Sequence, residues 1–168
     1  MALSDAEAAT GRLQTAEKGA MPSIGPVDVR PSQARQRNFV VEAVLIDELG
    51  RRGFTVEVGA PHTILYQAAG TFSRLKGDRS WLKLYGRAGS SSRGTGHLTL
   101  RLPELGSEPV VPLKYQITLK LEDRPGAQLW EANALYETNE SDVADVARTM
   151  VTAALEHWGQ SYDGPFER

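Results

Sequence analysis

The sequence contains no cysteine and only three histidines, and its apolar runs are short. Without cysteine the chain has no disulfide, no thiolate nucleophile and no cysteine ligand for a metal. His62, His97 and His157 are not spaced in metal-binding pairs such as H-x-H or H-x-x-x-H, so we expect neither a metal nor a cofactor. The apolar runs are far shorter than the ~20 residues of a membrane-spanning helix. We expect no secretory leader within the chain as printed, because no apolar stretch follows its N-terminus.

Charge is unevenly distributed along a chain whose net charge is only −2. Between Arg74 and Pro103 there are seven basic residues and one acid, whereas acids outnumber bases from Glu104 onward. Aromatic residues such as Phe72 lie in or beside this basic stretch. We therefore predict a contact surface for an acidic partner there. Its candidate residues are Arg74, Lys76, Arg79, Trp81, Lys83, Tyr85, Arg87 and Arg93.

The stretch "GRAGSSSRGTG", Gly86 to Gly96, has the composition of a phosphate-binding loop but lacks the residues that phosphate binding needs. No lysine follows Gly94 where a P-loop requires one. The residues after Gly96, "HLTLRL", alternate as a strand, so no helix N-terminus faces the loop. We interpret the stretch as a flexible connection between strands, in which Arg87 and Arg93 are the candidate contact residues.

Two stretches have the apolar spacing of helices packed on a core. The first, "PSQARQRNFVVEAVLIDELGRRG", predicts a helix capped by Ser32 and ended by Gly53. The second, "SDVADVARTMVTAALEHWG", predicts a helix capped by Ser141 and ended by Gly159. The expected buried stripe of the first helix comprises Phe39, Val40, Ala43, Val44, Ile46 and Leu49.

The stretch "KYQITLKLEDRPGAQLWEANALYETN" predicts a β-hairpin that bends at Pro125 and Gly126. One face of it is apolar, carrying Tyr115, Ile117, Leu119, Leu121, Trp130, Ala132, Ala134 and Tyr136. Further strands are expected at "SIGPVDVR", as an edge strand, and at "FTVEVGA", "TILYQAAGTFSRL", "WLKLY" and "HLTLRL". The pattern predicts an α+β two-layer sandwich, with two helices on one face of a mainly antiparallel or mixed sheet of about five to six strands.

The domain organisation follows from these elements. We expect a flexible N-terminal tether at residues 1–22, a single α+β domain at residues 23–159 and a loose C-terminal tail at residues 160–168. The tether is polar and weakly periodic, and the tail is short.

The hairpin resembles a pattern found in bacterial envelope lipoproteins. These are related to the curli secretion-channel subunit, the lipoprotein activator of penicillin-binding proteins and the N-terminal domain of the Tol-Pal protein. The pattern matches Tyr115, Ile117, Leu119, Leu121, Asp123, Gly126 and Trp130. Upstream, "VEAVLIDELGRRGFTVEVGAPHTILYQAAGTFS" is similar as well, so the resemblance covers roughly residues 23–158.

The resemblance implies a non-catalytic periplasmic module that binds other envelope proteins and is anchored to the outer membrane through a lipidated N-terminus. The lipid-bearing cysteine is not in this sequence. If a leader was removed, residues 2–21 are the tether; otherwise the expected location is the cytoplasm. The matched motifs mark a fold and carry no catalytic residue.

Two other function classes stay open. A small enzyme or ligand-binding domain would assemble its site across the sheet, since catalytic groups can come together from distant positions. Glu122 and Asp123 are adjacent carboxylates, but they are expected to lie in a solvated turn. An RNA-binding module would use the basic stretch and its aromatic residues. The negative net charge and the lack of a recognised aromatic motif make nucleic acid an unexpected partner.

Overall fold

The computed structural model describes residues 9–74 and 112–167, and there the chain forms an α+β fold on a seven-stranded mixed sheet. The strands are β1 Thr10–Glu17, β2 Pro26–Pro31, β3 Thr55–Val56, β4 His62–Gly70, β5 Leu113–Asp123, β6 Gln128–Thr138 and β7 Tyr162–Phe166. The helices are α1 Phe39–Arg51, the four-residue α2 Thr71–Arg74 and α3 Val143–Glu156, with a 3₁₀ turn at Ala34–Gln36 before α1.

The sheet order is β3-β2-β4-β5-β6-β1-β7. The β2 strand runs parallel to β3 and β4, and the other neighbouring pairs are antiparallel. The predicted class is confirmed, with more strands in the described part than expected. Apolar side chains of α1, α3 and one sheet face form a shared core. The two longer helices therefore cover the same face of the sheet.

The predicted hairpin is formed by β5 and β6, with Tyr115 opposite Tyr136 and Leu121 opposite Trp130. All eight side chains expected on its apolar face are buried. At the bend, Gly126 has a positive φ of 94°, and the Asp123 carboxylate accepts a hydrogen bond from the Ala127 N–H at 2.8 Å. The sequence predicts Asp123 in a solvated turn, and in the structure its carboxylate closes that turn through this hydrogen bond.

The α3 helix begins one residue later than predicted. Its N-cap is Asp142 rather than Ser141, because the Asp142 carboxylate accepts hydrogen bonds from the N–H groups of Ala144 and Asp145. Gly159 has a positive φ of 72° just after the helix, as the sequence indicates.

The α1 helix begins seven residues beyond the predicted cap. Ser32 does not cap it, since its hydroxyl donates to the main-chain oxygen of Tyr66 at 3.0 Å on the neighbouring strand. Asn38 is the N-cap instead, accepting from the Val41 N–H at 3.1 Å. Gly53, with φ of 89°, follows the helix end as expected.

The predictions of an N-terminal tether and a loose C-terminal tail are wrong for the residues that form β1 and β7. The β1 strand lies between β6 and β7, and its Leu13 is fully buried. A Cβ on Gly11 would lie only 2.6 Å from the Phe166 ring. The β1 and β7 strands therefore pack together here because Gly11 has no side chain. Each segment has little apolar surface alone, and pairing with the rest of the sheet stabilises both.

Three strand predictions near β4 need correction. The β2 strand is not an edge strand, because β3 pairs with its first residues, Pro26 and Val27. The strand predicted at "FTVEVGA" contains only Thr55–Val56. The β4 strand ends at Gly70, after which the chain turns into α2. The strands predicted at "WLKLY" and "HLTLRL" lie outside the described residues.

Candidate functional site

Of the eight residues predicted as a contact surface, only Arg74 falls in the described part, as the last residue of α2. Lys76, Arg79, Trp81, Lys83, Tyr85, Arg87 and Arg93 lie outside it, as does the Gly/Ser stretch. That surface therefore stays a prediction. Phe72, which lies beside the basic stretch in sequence, is fully buried, with its ring 4.8 Å from that of Tyr115.

The described histidines have separate positions. His62 begins β4, and His157 follows α3 with its ring stacked on Tyr162 at 3.9 Å. Within residues 9–74 and 112–167, no group of three or more histidine, aspartate and glutamate side chains could hold a metal ion. None of the helices in these ranges is long and apolar enough to cross a membrane.

The outward side of α1 carries an apolar stripe formed by Phe39, Ala43, Ile46 and Gly50, all of them exposed. We call these four residues the α1 outer face. Phe39 is 57% exposed, Ile46 is 39% exposed and Ala43 is exposed as well, so the prediction that these three residues are buried is wrong. The helix packs on the sheet through its opposite side, with buried Val41, Val44, Leu45, Glu48 and Leu49.

The signal for this face was present in the sequence. Apolar residues from Phe39 to Leu49 occupy more of the helix circumference than one contact with a sheet can cover. Which of the two sides would be buried depends on how the chain enters the helix. That entry is set by a hydrogen-bond network with β4, which the sequence does not reveal.

The network joins β4 to the start of α1 through Tyr66. The fully buried Tyr66 accepts from the Asn38 N–H at 3.2 Å and donates its hydroxyl to the Glu42 carboxylate at 2.7 Å. Arg37 donates to both oxygens of Glu42, at 3.0 and 2.6 Å. The Arg37 guanidinium lies 4.9 Å from the centre of the Phe39 ring. Phe39 is thus exposed, with one ring face in a cation–π contact with Arg37.

The electrostatics of this network keep Glu42 and Arg37 charged. Burial alone would raise the pKa of Glu42, but hydrogen bonds from Arg37 and Tyr66 outweigh it and hold that pKa below the usual value. Burial, together with the hydrogen bond to Glu42, raises the pKa of Tyr66 well above its ordinary value. Glu42 therefore stays an anion, and Tyr66 stays a neutral donor.

Four arginines lie near the α1 outer face, and two of them, Arg37 and Arg51, are far more exposed than the carboxylates of Glu42 and Glu48 with which they pair. Arg37 is 52% exposed above Glu42, which is 12% exposed. Arg51 is 59% exposed above Glu48, which is 8% exposed. The four rim residues are Arg35, Arg37 and Arg51, with Arg148 of α3, which lies 3.6 Å from the half-exposed Asp47.

An open groove with a volume of about 480 Å³ lies between α3 and β7, and Arg148 belongs both to its lining and to the four arginines near the α1 outer face. Its floor includes Ala153 and Phe166, which are buried. Its rim is polar, with the side chains of Asp145, Arg148, Thr149, Thr152, Glu156, His157 and Glu167. The size is within the range of small-molecule sites, but the groove is open to solvent and its charges are mixed.

Comparison with known proteins gives similarity of structure only. No protein-family model matches the chain, and no curated protein sequence matches it. Two structures of the PelC dodecamer from Paraburkholderia phytofirmans are similar at 12% and 10% identity, both with a TM-score of 0.48. They cover 86% and 89% of this chain, and 95% and 98% of theirs.

A PDZ domain protein from Parabacteroides distasonis is also similar, at 13% identity with a TM-score of 0.51. The match covers 96% of this chain and 39% of that one. At such identities the likeness bears on the fold and assigns no site.

Proposed function

We propose that this protein is a non-catalytic module of the bacterial cell envelope that acts by binding other proteins. The envelope setting, the periplasmic location and the outer-membrane anchor rest on the resemblance of the hairpin and upstream segment to envelope lipoproteins. Protein binding rests on the surface of the described residues.

The observation that carries the protein-binding proposal is the α1 outer face. Exposed aromatic and aliphatic side chains surrounded by polar groups are typical of protein contacts, and arginine and aromatic residues dominate their binding energy. The cation–π contact with Arg37 favours one orientation of the Phe39 ring, which lowers the conformational entropy lost when a partner covers it. The basic stretch after Arg74 is proposed as a second contact surface.

The lowered carboxylate pKa values in the described part have structural causes, which supports a non-catalytic role. Asp28 is buried, which alone would raise its pKa, yet hydrogen bonds from the Gly59 N–H and Arg30 bring that pKa below the usual value. Glu131 has its pKa lowered by hydrogen bonds from Lys18 and Gln128. These groups hold strands and loops together rather than facing a cleft.

The groove between α3 and β7 favours the alternative of a small-ligand site. A ligand bound there would stabilise the folded state. A change such as Thr152→Trp, which fills the groove, would remove that stabilisation. A thermal-shift screen of the full chain with and without this change separates the alternative from the protein-binding proposal.

Photo-crosslinking in the native host tests the proposed function. A photoreactive residue replaces Arg35 beside the α1 outer face, and Arg124 in the hairpin turn as the matched control. We expect crosslinks to envelope proteins from the first position, lost with Phe39→Ser and Ile46→Ser, and cell fractionation should place the protein in the envelope. Identical crosslinks from both positions would contradict the proposal.

A further inference from the structure

The α1 outer face differs from an ordinary exposed apolar patch in the charge of its rim. Arg37 and Arg51 each shield a carboxylate that lies beneath them, so solvent meets guanidinium groups before carboxylates. Arg35 is exposed and takes part in none of the ion pairs among the described residues, so it adds a positive charge to the rim. Asp47 is the exception, half-exposed between Arg51 and Arg148.

The shape of the face alternates between large and small residues. Phe39 and Ile46 project from the helix, whereas Ala43 and Gly50 leave gaps one turn beyond each of them. The fold does not require the gap at Gly50, because a Cβ built there meets no atom within 4 Å. A ridge of side chains from a second helix fits such gaps, since helices pack by inserting ridges into grooves.

A second copy of this chain fits the charge of the rim poorly. If two α1 helices packed antiparallel with Phe39 opposite Gly50, the arginines before one helix would meet those at the end of the other. Repulsion between like charges therefore disfavours self-pairing. An anionic rim on the partner would instead complement all four arginines.

We propose that the α1 outer face binds an acidic amphipathic helix of a partner protein, an inference that rests on the proposed function. Apolar side chains of the partner occupy the gaps at Ala43 and Gly50 and contact Phe39 and Ile46. Its carboxylates approach the exposed guanidinium groups, which keep their ion pairs with Glu42, Asp47 and Glu48 beneath or beside them. Tyr66 is a positioning residue, which acts through Glu42 and Arg37 on Phe39.

The probe is a synthetic helical peptide with leucine and phenylalanine on one face and glutamate on both flanks. The same peptide with lysine in place of glutamate serves as the charge-reversed arm. We expect the full chain to bind the glutamate peptide at least about tenfold more tightly than the lysine peptide, and more weakly as salt is added. Fluorescence anisotropy measures both affinities.

Variants test the named residues. Phe39→Ala should weaken binding at least about tenfold, whereas Leu135→Ala, which removes another exposed hydrophobic side chain, should not. Arg35→Glu should weaken it about threefold or more, whereas Arg124→Glu, the same charge change in the hairpin turn, should not. Tyr66→Phe should weaken binding while thermal unfolding shows a folded chain. Binding without preference for charge, or equal loss in test and control variants, would overturn the inference.

The outcome separates this inference from the proposed function. If crosslinks in the host depend on Phe39 but the glutamate peptide does not bind, the proposed partner chemistry is wrong and the proposed protein-binding function is still supported. If the peptide binds at Phe39 but no envelope crosslink depends on that residue, the proposed envelope function is wrong. The proposal that the α1 outer face binds an acidic helix is then still supported.

Discussion

At the residue scale, two glycines of this protein serve opposite purposes. Gly70 ends β4 with a positive φ of 70°, and a Cβ there would collide with the main-chain oxygen of Lys114. The fold therefore requires glycine at that position. Gly50 lies inside α1 with open space around it. Glycine in a helix interior costs stability relative to alanine, so the fold alone gives no reason for it.

We expect Gly50→Ala to stabilise the protein by about 0.5–1 kcal/mol, because alanine restricts the unfolded chain and suits the helix. For a chain of this size the melting temperature should rise by about 1–4 °C. Gly70→Ala is the control and should lower it. Thermal unfolding followed by circular dichroism measures both, and a fall for Gly50→Ala would show that α1 needs glycine for a structural reason.

At the element scale, the hairpin was predictable and the outer strands were not. Each strand of the hairpin alternates over eleven residues, and the bend carries Pro125 and Gly126, so local signals and burial agree. In β1, Leu13 is the one large apolar residue on the buried side. Its place depends on pairing with β6 and β7, which lie more than a hundred residues away.

The β7 strand closes its edge of the sheet through its own residues. Pro165 has no N–H to offer, and its main-chain oxygen accepts a hydrogen bond from the Tyr162 hydroxyl at 2.7 Å. An incoming strand therefore finds no N–H at this residue and a main-chain oxygen that already accepts one hydrogen bond. Proline on an edge strand is a known protection against edge-to-edge association.

Opening this edge should cause self-association. We expect the double change Pro165→Val with Tyr162→Phe to give concentration-dependent oligomers, because it restores an N–H and frees the main-chain oxygen. Tyr162→Phe alone keeps the ring that stacks on His157 and should have a weaker effect. Size-exclusion chromatography with light scattering measures the mass. An unchanged mass of the double variant at high concentration would mean that β7 is protected in another way.

At the scale of the whole molecule, the class of fold followed from periodicity, but the candidate site did not. The apolar spacing of α3 predicts a helix packed on a core, and its large apolar residues from Val143 to Leu155 are buried. The apolar residues of α1 cover two sides. The buried side packs into the core through Val41, Val44, Leu45 and Leu49, and the hydrogen bond between Tyr66 and Glu42, 24 positions apart, contributes to that orientation. Long-range contacts of this kind leave no local signal in one sequence.

The same contacts should make the protein sensitive to acid. Asp28, Glu42 and Glu131 join different parts of the fold, and each has its pKa below its ordinary value of 3.8 or 4.5. A lowered pKa in the folded state means that each carboxylate stabilises the fold fully above its ordinary value. That stabilisation is lost as the pH falls through the lower, folded value.

We therefore expect the melting temperature to be steady from pH 7 to about 5 and to fall steeply below about 4.5. Glu42→Gln should lower the melting temperature at pH 7, because it removes the ion pair with Arg37, and should reduce the further loss on acidification. Glu57→Gln, an exposed control with the same change of charge, should leave the profile unchanged. A profile for Glu42→Gln parallel to that of the parent protein would show that Glu42 does not couple folding to pH, and the acid sensitivity would then belong to Asp28 and Glu131.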